Sequence, residues 1–258
     1  MLLVIDIGNT RTKWALSDDA GELFTTEICL NANIDKARFA TKQVSKVLIS
    51  NVAGDAMAQQ ITQILSPLPV HFIAAKKLAC GVTNQYENTL GTDRWAALVA
   101  AWQLTKHATV VVNAGTAITI DAISQNKKLA KQAVFLGGTI QPGLHLMHAT
   151  LSQNTAQLNM QEGRFAEYPQ NTPDAMETGC LNAVVGAIHL MLKRLEKHSG
   201  WLPKLVISGG DAQKIAQALN PQGLNLGAKQ VIIENLVLRG LVLLEKEMPE
   251  KEWPEKEW

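Results

Sequence analysis

Three short stretches combine acidic, basic, hydroxyl and glycine residues at spacings that suit phosphate chemistry: Asp6-Ile7-Gly8-Asn9-Thr10-Arg11-Thr12-Lys13, Gly91-Thr92-Asp93-Arg94 and Gly115-Thr116. Asp6 lies in an apolar run from Leu2 to Ile7, where a lone buried carboxylate is costly and calls for donors or a cation. Mg²⁺ shared between this carboxylate and phosphate oxygens meets that need. So does a tight turn at Gly8-Asn9 in which Asp6 bonds its own backbone. Lys13 adds a positive charge, and Thr10 and Thr116 offer hydroxyls. Asp93 opens a predicted helix, a rigid placement from which it could accept a hydroxyl proton, with Arg94 holding an anionic acceptor. Asp is equally one of the best N-cap residues, a role that needs no chemistry.

Other candidates carry less. The chain contains neither a Gly-x-x-x-x-Gly-Lys phosphate loop nor a Gly-x-Gly dinucleotide loop, so a nucleotide must be held by other means. Gly137-Gly138 with Pro142-Gly143, and Gly209-Gly210-Asp211, read as turns able to approach a ligand closely. His145 and His148 lie three apart on a possible helix, but no third ligand is spaced to complete a zinc site. Trp95 and Trp102, seven apart on one helix face, read as core or interface.

The elements that would position these residues follow from hydrophobic period and turn signals. Leu2–Ile7 and Thr12–Leu16 form a hairpin, Val47–Ser50 and Val70–Ile73 are short buried strands, and Ala56–Leu65 is a helix between them. A helix spans 93–106 with Asp93 as its cap. Thr109–Val112, a turn over Asn113-Ala114-Gly115-Thr116, and Ala117–Ile123 restate the opening hairpin 107 positions later, which implies two similar halves. The longest helix, 174–198, is capped by Thr172-Pro173 and closed by Gly200. Its Gly179, Ala183 and Gly186 form a small-residue stripe on which another helix could pack. Leu205–Ser208 is a last strand before a short helix, and 234–247 is the final helix. This alternation predicts an α/β protein with residues 1–107 and 108–246 as its halves, the final helix free to pack back on the first. Residues 247–258, which end in two copies of Pro-Glu-Lys-Glu-Trp, are expected to be disordered.

Composition sets outer limits. At 258 residues, 47% hydrophobic and 18% charged, the chain can bury a large core without disulfides. Lys and Arg total 24 against 23 Asp and Glu, so no field exists to bind a nucleic acid backbone or an anionic membrane. Neither partner is expected. Cys29, Cys80 and Cys180 are odd in number and scattered, which fits a reducing compartment. No basic leader precedes Leu2, and no uninterrupted apolar run reads as approaching the ~20 residues a membrane span needs. A cytoplasmic location is the expectation.

Taken together, Asp6 to Lys13, Gly91 to Arg94, Gly115-Thr116-Ala117-Ile118-Thr119-Ile120-Asp121, and Gly137-Gly138 through Pro142-Gly143 closely resemble type III pantothenate kinases in order, spacing and total length. The resemblance implies the actin-like ATPase, acetate and sugar kinase superfold, with two duplicated ribonuclease H-like domains, ATP between them, and a homodimer. It implies ATP-dependent phosphorylation of pantothenate to 4'-phosphopantothenate, the first step of coenzyme A biosynthesis. By the same resemblance Asp6, Ile7, Gly8, Asn9, Thr10, Arg11, Thr12 and Lys13 bind ATP phosphates and Mg²⁺, Gly115 and Thr116 touch ATP, and Asp93 accepts the proton of the pantothenate hydroxyl. Gly91, Thr92, Asp93, Arg94 and Tyr86 seat the substrate, although the stretch from Tyr86 to Gly91 is shorter than the family's usual spacing. Thr172 reaches pantothenate from the neighbouring subunit, placing the active site at the dimer interface. Asn113 stands where the family usually carries an Asp that binds K⁺ or NH₄⁺. An amide oxygen without the charge predicts a reduced cation requirement. Two rivals are a sugar kinase of the same fold and a non-catalytic regulator, since members of this family have been named Bvg accessory factors.

Overall fold

The computed structural model describes residues 1–36, 39, 41–86, 90–126, 131–154, 162–219, 229–249 and 253. The chain forms two compact units, one comprising residues 1–104 and 235–258, the other 105–234.

In the first unit, β1 (Leu2–Ile7) pairs antiparallel with β2 (Arg11–Ser17), which pairs antiparallel with β3 (Leu23–Leu30). A 3₁₀ helix (Asn31–Lys36) leads towards β4 (Lys46–Asn51), which runs parallel to β1; α1 (Asp55–Leu65) then connects to β5 (Val70–Phe72), parallel to β4. The sheet order is β3-β2-β1-β4-β5. The two-residue period of β1 sends Leu3, Ile5 and Ile7 to a core shared with Trp14, Leu16, Val47, Ile49 and the α1 residues Ile61 and Leu65. Val4 and Asp6 therefore face the other side of the sheet. A small hairpin, β6 (Leu78–Ala79) with β7 (Val82–Asn84), precedes α2 (Thr92–Thr105), in which every residue from Arg94 to Trp102 is buried. Trp95 and Trp102 are both core residues.

The second unit repeats the plan. β8 (Thr109–Ala114) and β9 (Ala117–Gln125) form the hairpin, and β10 (Ala133–Pro142) pairs antiparallel with β9. After α3 (Leu144–Asn154) and α4 (Thr172–Ser199), β11 (Lys204–Ser208) runs parallel to β8; α5 (Ala212–Leu219) then precedes β12 (Gln230–Ile232), parallel to β11. The order β10-β9-β8-β11-β12 is that of the first sheet, strand for strand. Gly137 and Gly138 belong to β10, at a bulge after Phe135, and not to the turn the sequence suggested. Position 138 is pinned by its cross-strand partner, since a Cβ there would collide with the Asp121 carboxylate.

α4 corrects two readings. Its N-cap is Asn171, whose side chain accepts from the Asp174 amide, so Thr172 is the first helical residue and not the cap. The helix is also long and apolar enough, by length and composition alone, to cross a membrane, contrary to the expectation that no such run exists. Its apolar residues, among them Cys180, Leu181, Val184, Val185, Ile188, Leu192 and Leu195, are instead packed in the core of this unit.

α6 (Leu236–Glu245) belongs with the first unit and packs on β1, β2 and β4, while Lys46 Nζ reaches Glu245 at 3.0 Å. Most of the repeated tail lies outside the described residues. Trp253, expected to be disordered, sits with its ring 5.8 Å from that of His71 and 4.8 Å from Lys46 Nζ.

Candidate active site

Asp6 is flanked in the sheet by Lys13 of β2 and Ser50 of β4, which are its register partners on either side. Directly paired residues project from the same face, so all three side chains crowd together on the side opposite the Leu3-Ile5-Ile7 core. Asp6 Oδ1 is sealed from solvent and has no hydrogen-bond partner. Burial pushes this carboxyl up to about 7, the neighbouring Asp93 pushes the same way, and Lys13 and the Ser50 hydroxyl pull it back. The alternative that Asp6 merely ties the turn fails on the hydrogen bonds. Gly8 N donates to Arg11 O, Asn31 N to Thr10 O, and the Asn31 side chain to Gly8 O at 2.7 Å. Thr12 is sealed and donates to Asn31 Oδ1 at 2.8 Å, while Ile7 is a core residue; Asn9, Thr10 and Arg11 are exposed at the tip. Asn31 is thus the brace of this loop, and nothing in its local sequence, Leu30-Asn31-Ala32-Asn33, distinguishes it from an ordinary turn residue.

The first turn of α2 brings a second carboxylate to the same face. Gly91 O accepts the Trp95 amide, so the helix starts at Thr92 and Asp93 is its second residue, not its cap. Gly91 has no room for a side chain, because a Cβ would lie 2.6 Å from Asp93 Oδ1. That oxygen accepts the Arg94 amide at 2.7 Å. Burial raises the Asp93 carboxyl above the usual range, and the Arg94 amide and guanidinium oppose the shift. Thr92 Oγ1 lies 2.9 Å from Ser50 Oγ, which ties the helix start to β4. Arg94 is 5% exposed with its guanidinium 5.5 Å from the Tyr86 ring centroid, so Tyr86, Thr92, Asp93 and Arg94 do come together. Two buried carboxylates with raised proton affinity, beside a lysine and an arginine, suit proton transfer from a hydroxyl next to a bound anion.

In the second unit the positions equivalent to Asp6 and Lys13 are neutral. Asn113 is paired with Thr119 and with Ser208, and the Thr119 hydroxyl is sealed without a partner. Gly115 and Thr116 are exposed at the tip. The turn is held by Gly115 N to Ala117 O, Gly143 N to Thr116 O and Asp211 N to Ala114 O. Gly209, at φ +105°, backs directly onto the Ala114 carbonyl, a fit only glycine allows. Pro142-Gly143 and Gly209-Gly210-Asp211 therefore serve the hairpin itself. Thr172 is exposed at the mouth of an apolar groove of about 940 Å³, shared with Met147, Leu151, Met176, Gly179 and Ala183. His148 does not join His145; its Nε2 lies 3.1 Å from Glu177, which Lys214 also meets at 2.7 Å. Among the described residues no three His, Cys, Asp or Glu side chains cluster as a metal cage.

Comparison with known proteins identifies the fold and the family. A 2-dehydro-3-deoxygalactonokinase structure from Sinorhizobium meliloti superposes with a TM-score of 0.56 at 10% identity, covering 94% of this chain and 97% of that one. A structure named as a Baf family transcriptional activator from Campylobacter jejuni superposes at 0.62 with 24% identity, over 95% and 98%. The fold is that of actin-like ATPases and sugar kinases, two duplicated ribonuclease H-like units. Residues 2–194 match the profile of type III pantothenate kinase. The type III pantothenate kinase of Nitrosospira multiformis is 39% identical over 226 residues, 85% of this chain and 84% of that protein. The chain belongs to the type III pantothenate kinase family.

Proposed function

We propose that this protein transfers the γ-phosphoryl group of ATP to the primary hydroxyl of pantothenate, giving 4'-phosphopantothenate at the entry to coenzyme A synthesis. The observation that carries the reading is the pair Asp6 and Asp93, two carboxylates on one face of the first unit, one with an oxygen sealed and unpartnered. Asp93 takes up the hydroxyl proton, and its raised affinity for protons brings it closer to the basicity such a step needs. Lys13 and the exposed tip residues Asn9, Thr10 and Arg11 bind phosphate oxygens. Arg94 and Tyr86 hold the pantothenate carboxylate and chain. The orphaned Asp6 oxygen fits Mg²⁺, which would be held there with phosphate oxygens and water and would supply neutralisation of phosphate charge. Asn113 with the unpartnered Thr119 hydroxyl offers a neutral oxygen pair for K⁺ or NH₄⁺, weaker than a carboxylate site.

The protein acts as a homodimer in the cytoplasm. The exposed small residues Gly179, Ala183 and Gly186 leave open space along α4, and the groove beside Thr172 gives a second copy an apolar surface to cover. Thr172 then contributes to the partner's substrate site. A coupled assay of ADP release with pantothenate and with a panel of sugars tests the assignment. Turnover with pantothenate alone is expected. Turnover with a sugar, or with nothing, contradicts it.

A further inference from the structure

Ser50 is fully buried, and no motif singles it out. It is the register partner of Asp6 on β4, and its hydroxyl lies 2.9 Å from Thr92 Oγ1 at the start of α2. Thr92 is held a second time from the same strand, its hydroxyl 3.4 Å from Asn51 O. β4 thus touches both the carboxylate proposed to face the nucleotide and the helix turn that carries the proposed proton acceptor. These contacts all lie within the first unit. Ser50 is buried and Thr92 partly so, and the contact between them gives both hydroxyls a partner.

We propose that Ser50 is a positioning residue for phosphoryl transfer, its hydroxyl locking the first turn of α2 through Thr92 at a set distance from Asp6. This rests on the function proposed above. Ser50 touches neither substrate nor reacting atoms. It acts by removing the slack between the two carboxylates, and misplacement of about 1 Å in such a pair lowers rate by about a hundredfold. The duplicated unit has the same serine, Ser208, paired with Asn113.

The test uses the full-length protein and four variants, Ser50→Ala, Thr92→Val, their double, and Thr92→Ser. Steady-state constants for MgATP and pantothenate are measured beside hydrogen exchange at the Trp95 amide, the first amide bonded within the turn. Ser50→Ala is expected to lower kcat 10- to 100-fold while leaving both KM values within about threefold. In Thr92→Ser, which keeps the hydroxyl, Trp95 exchange should stay at the parent rate, the double variant should lose no more kcat than the larger single loss, and Trp95 exchange should quicken at least tenfold in Ser50→Ala. An unchanged kcat, a loss confined to KM, or single losses that multiply in the double variant overturns the proposal. If the unaltered protein shows no turnover with pantothenate, the function reading fails separately. Trp95 exchange then decides the Ser50–Thr92 lock alone: faster exchange supports it, and unchanged exchange overturns it.

Discussion

In the first unit the second-to-last residue of the leading strand is Asp6, flanked by Lys13 and Ser50; in the second the same place holds Asn113, flanked by Thr119 and Ser208. The strand order, the parallel partner and its serine are shared. The charges are not. Nor are the turns, since Gly8 to Arg11 span the first hairpin, whereas Gly115 to Ala117, one residue fewer, span the second. At these places the first unit presents a carboxylate, a lysine and a serine, and the second an amide and two hydroxyls. Duplication therefore supplies a matching frame, while the chemistry is set by which side chains stand at equivalent places.

The sharpest way to break this asymmetry is to neutralise the proposed proton acceptor. Asp93→Asn should lower kcat by about 10³-fold with nucleotide affinity kept, measured by ADP release and by equilibrium binding. Full turnover in that variant would remove Asp93 from the mechanism. Asp6→Asn should cost about 10²-fold in kcat/KM, because an amide cannot carry the negative charge that draws the cation.

The same substitution has an opposite effect on the fold. The folded protein keeps the Asp6 proton up to about pH 7, while an ordinary carboxyl loses it near 3.8. Between those values the native state holds more protons than the unfolded chain, so the contribution of this group to stability falls as pH rises through that window and stays low above it. Asp6→Asn should flatten that fall, leaving the ligand-free variant more stable than the parent at pH 8, by on the order of 2–4 kcal/mol. A variant less stable at pH 8 would mean that Asp6 is not under strain.

The second unit has its own tests. Gly179→Leu, filling open space on α4, should shift the protein towards monomer in light scattering and reduce activity at least tenfold, while an unchanged dimer would place the interface elsewhere. Asn113→Asp should lower the K⁺ concentration for half-maximal activity by about tenfold, the effect of one restored charge near a bound ion. Saturable K⁺ activation of the parent protein at ordinary concentrations would contradict the weak site.

Much of this was legible in the sequence because local rules and tertiary structure agree. The alternation of Leu3, Ile5 and Ile7, the Gly8-Asn9 turn and the repeated strand-turn-strand unit are all nearest-neighbour patterns, and they located both hairpins. Asp93 was located but misassigned as a cap, since the choice between Gly91 and Asp93 as helix start depends on a backbone bond to Trp95 that composition does not encode. Ungapped alignment sets Ile120 opposite Lys13, whereas the shorter turn makes Thr119 the register equivalent. Asn31 and Ser50 escaped notice because their roles come from partners 19 to 42 residues away. Gly137-Gly138 read as a turn although the demand for glycine came from the Asp121 side chain on the next strand.

The Asp6 carboxyl, pushed up to about 7 by burial, is the group proposed to lose its proton when a cation and nucleotide bind. Titrating MgATP calorimetrically at pH 7 in two buffers of different ionisation enthalpy counts the protons released, and Asp6→Asn gives the background from the nucleotide itself. The expected difference is about half a proton per site. Identical proton counts for parent and variant would contradict the claim that this carboxylate meets the cation–nucleotide complex.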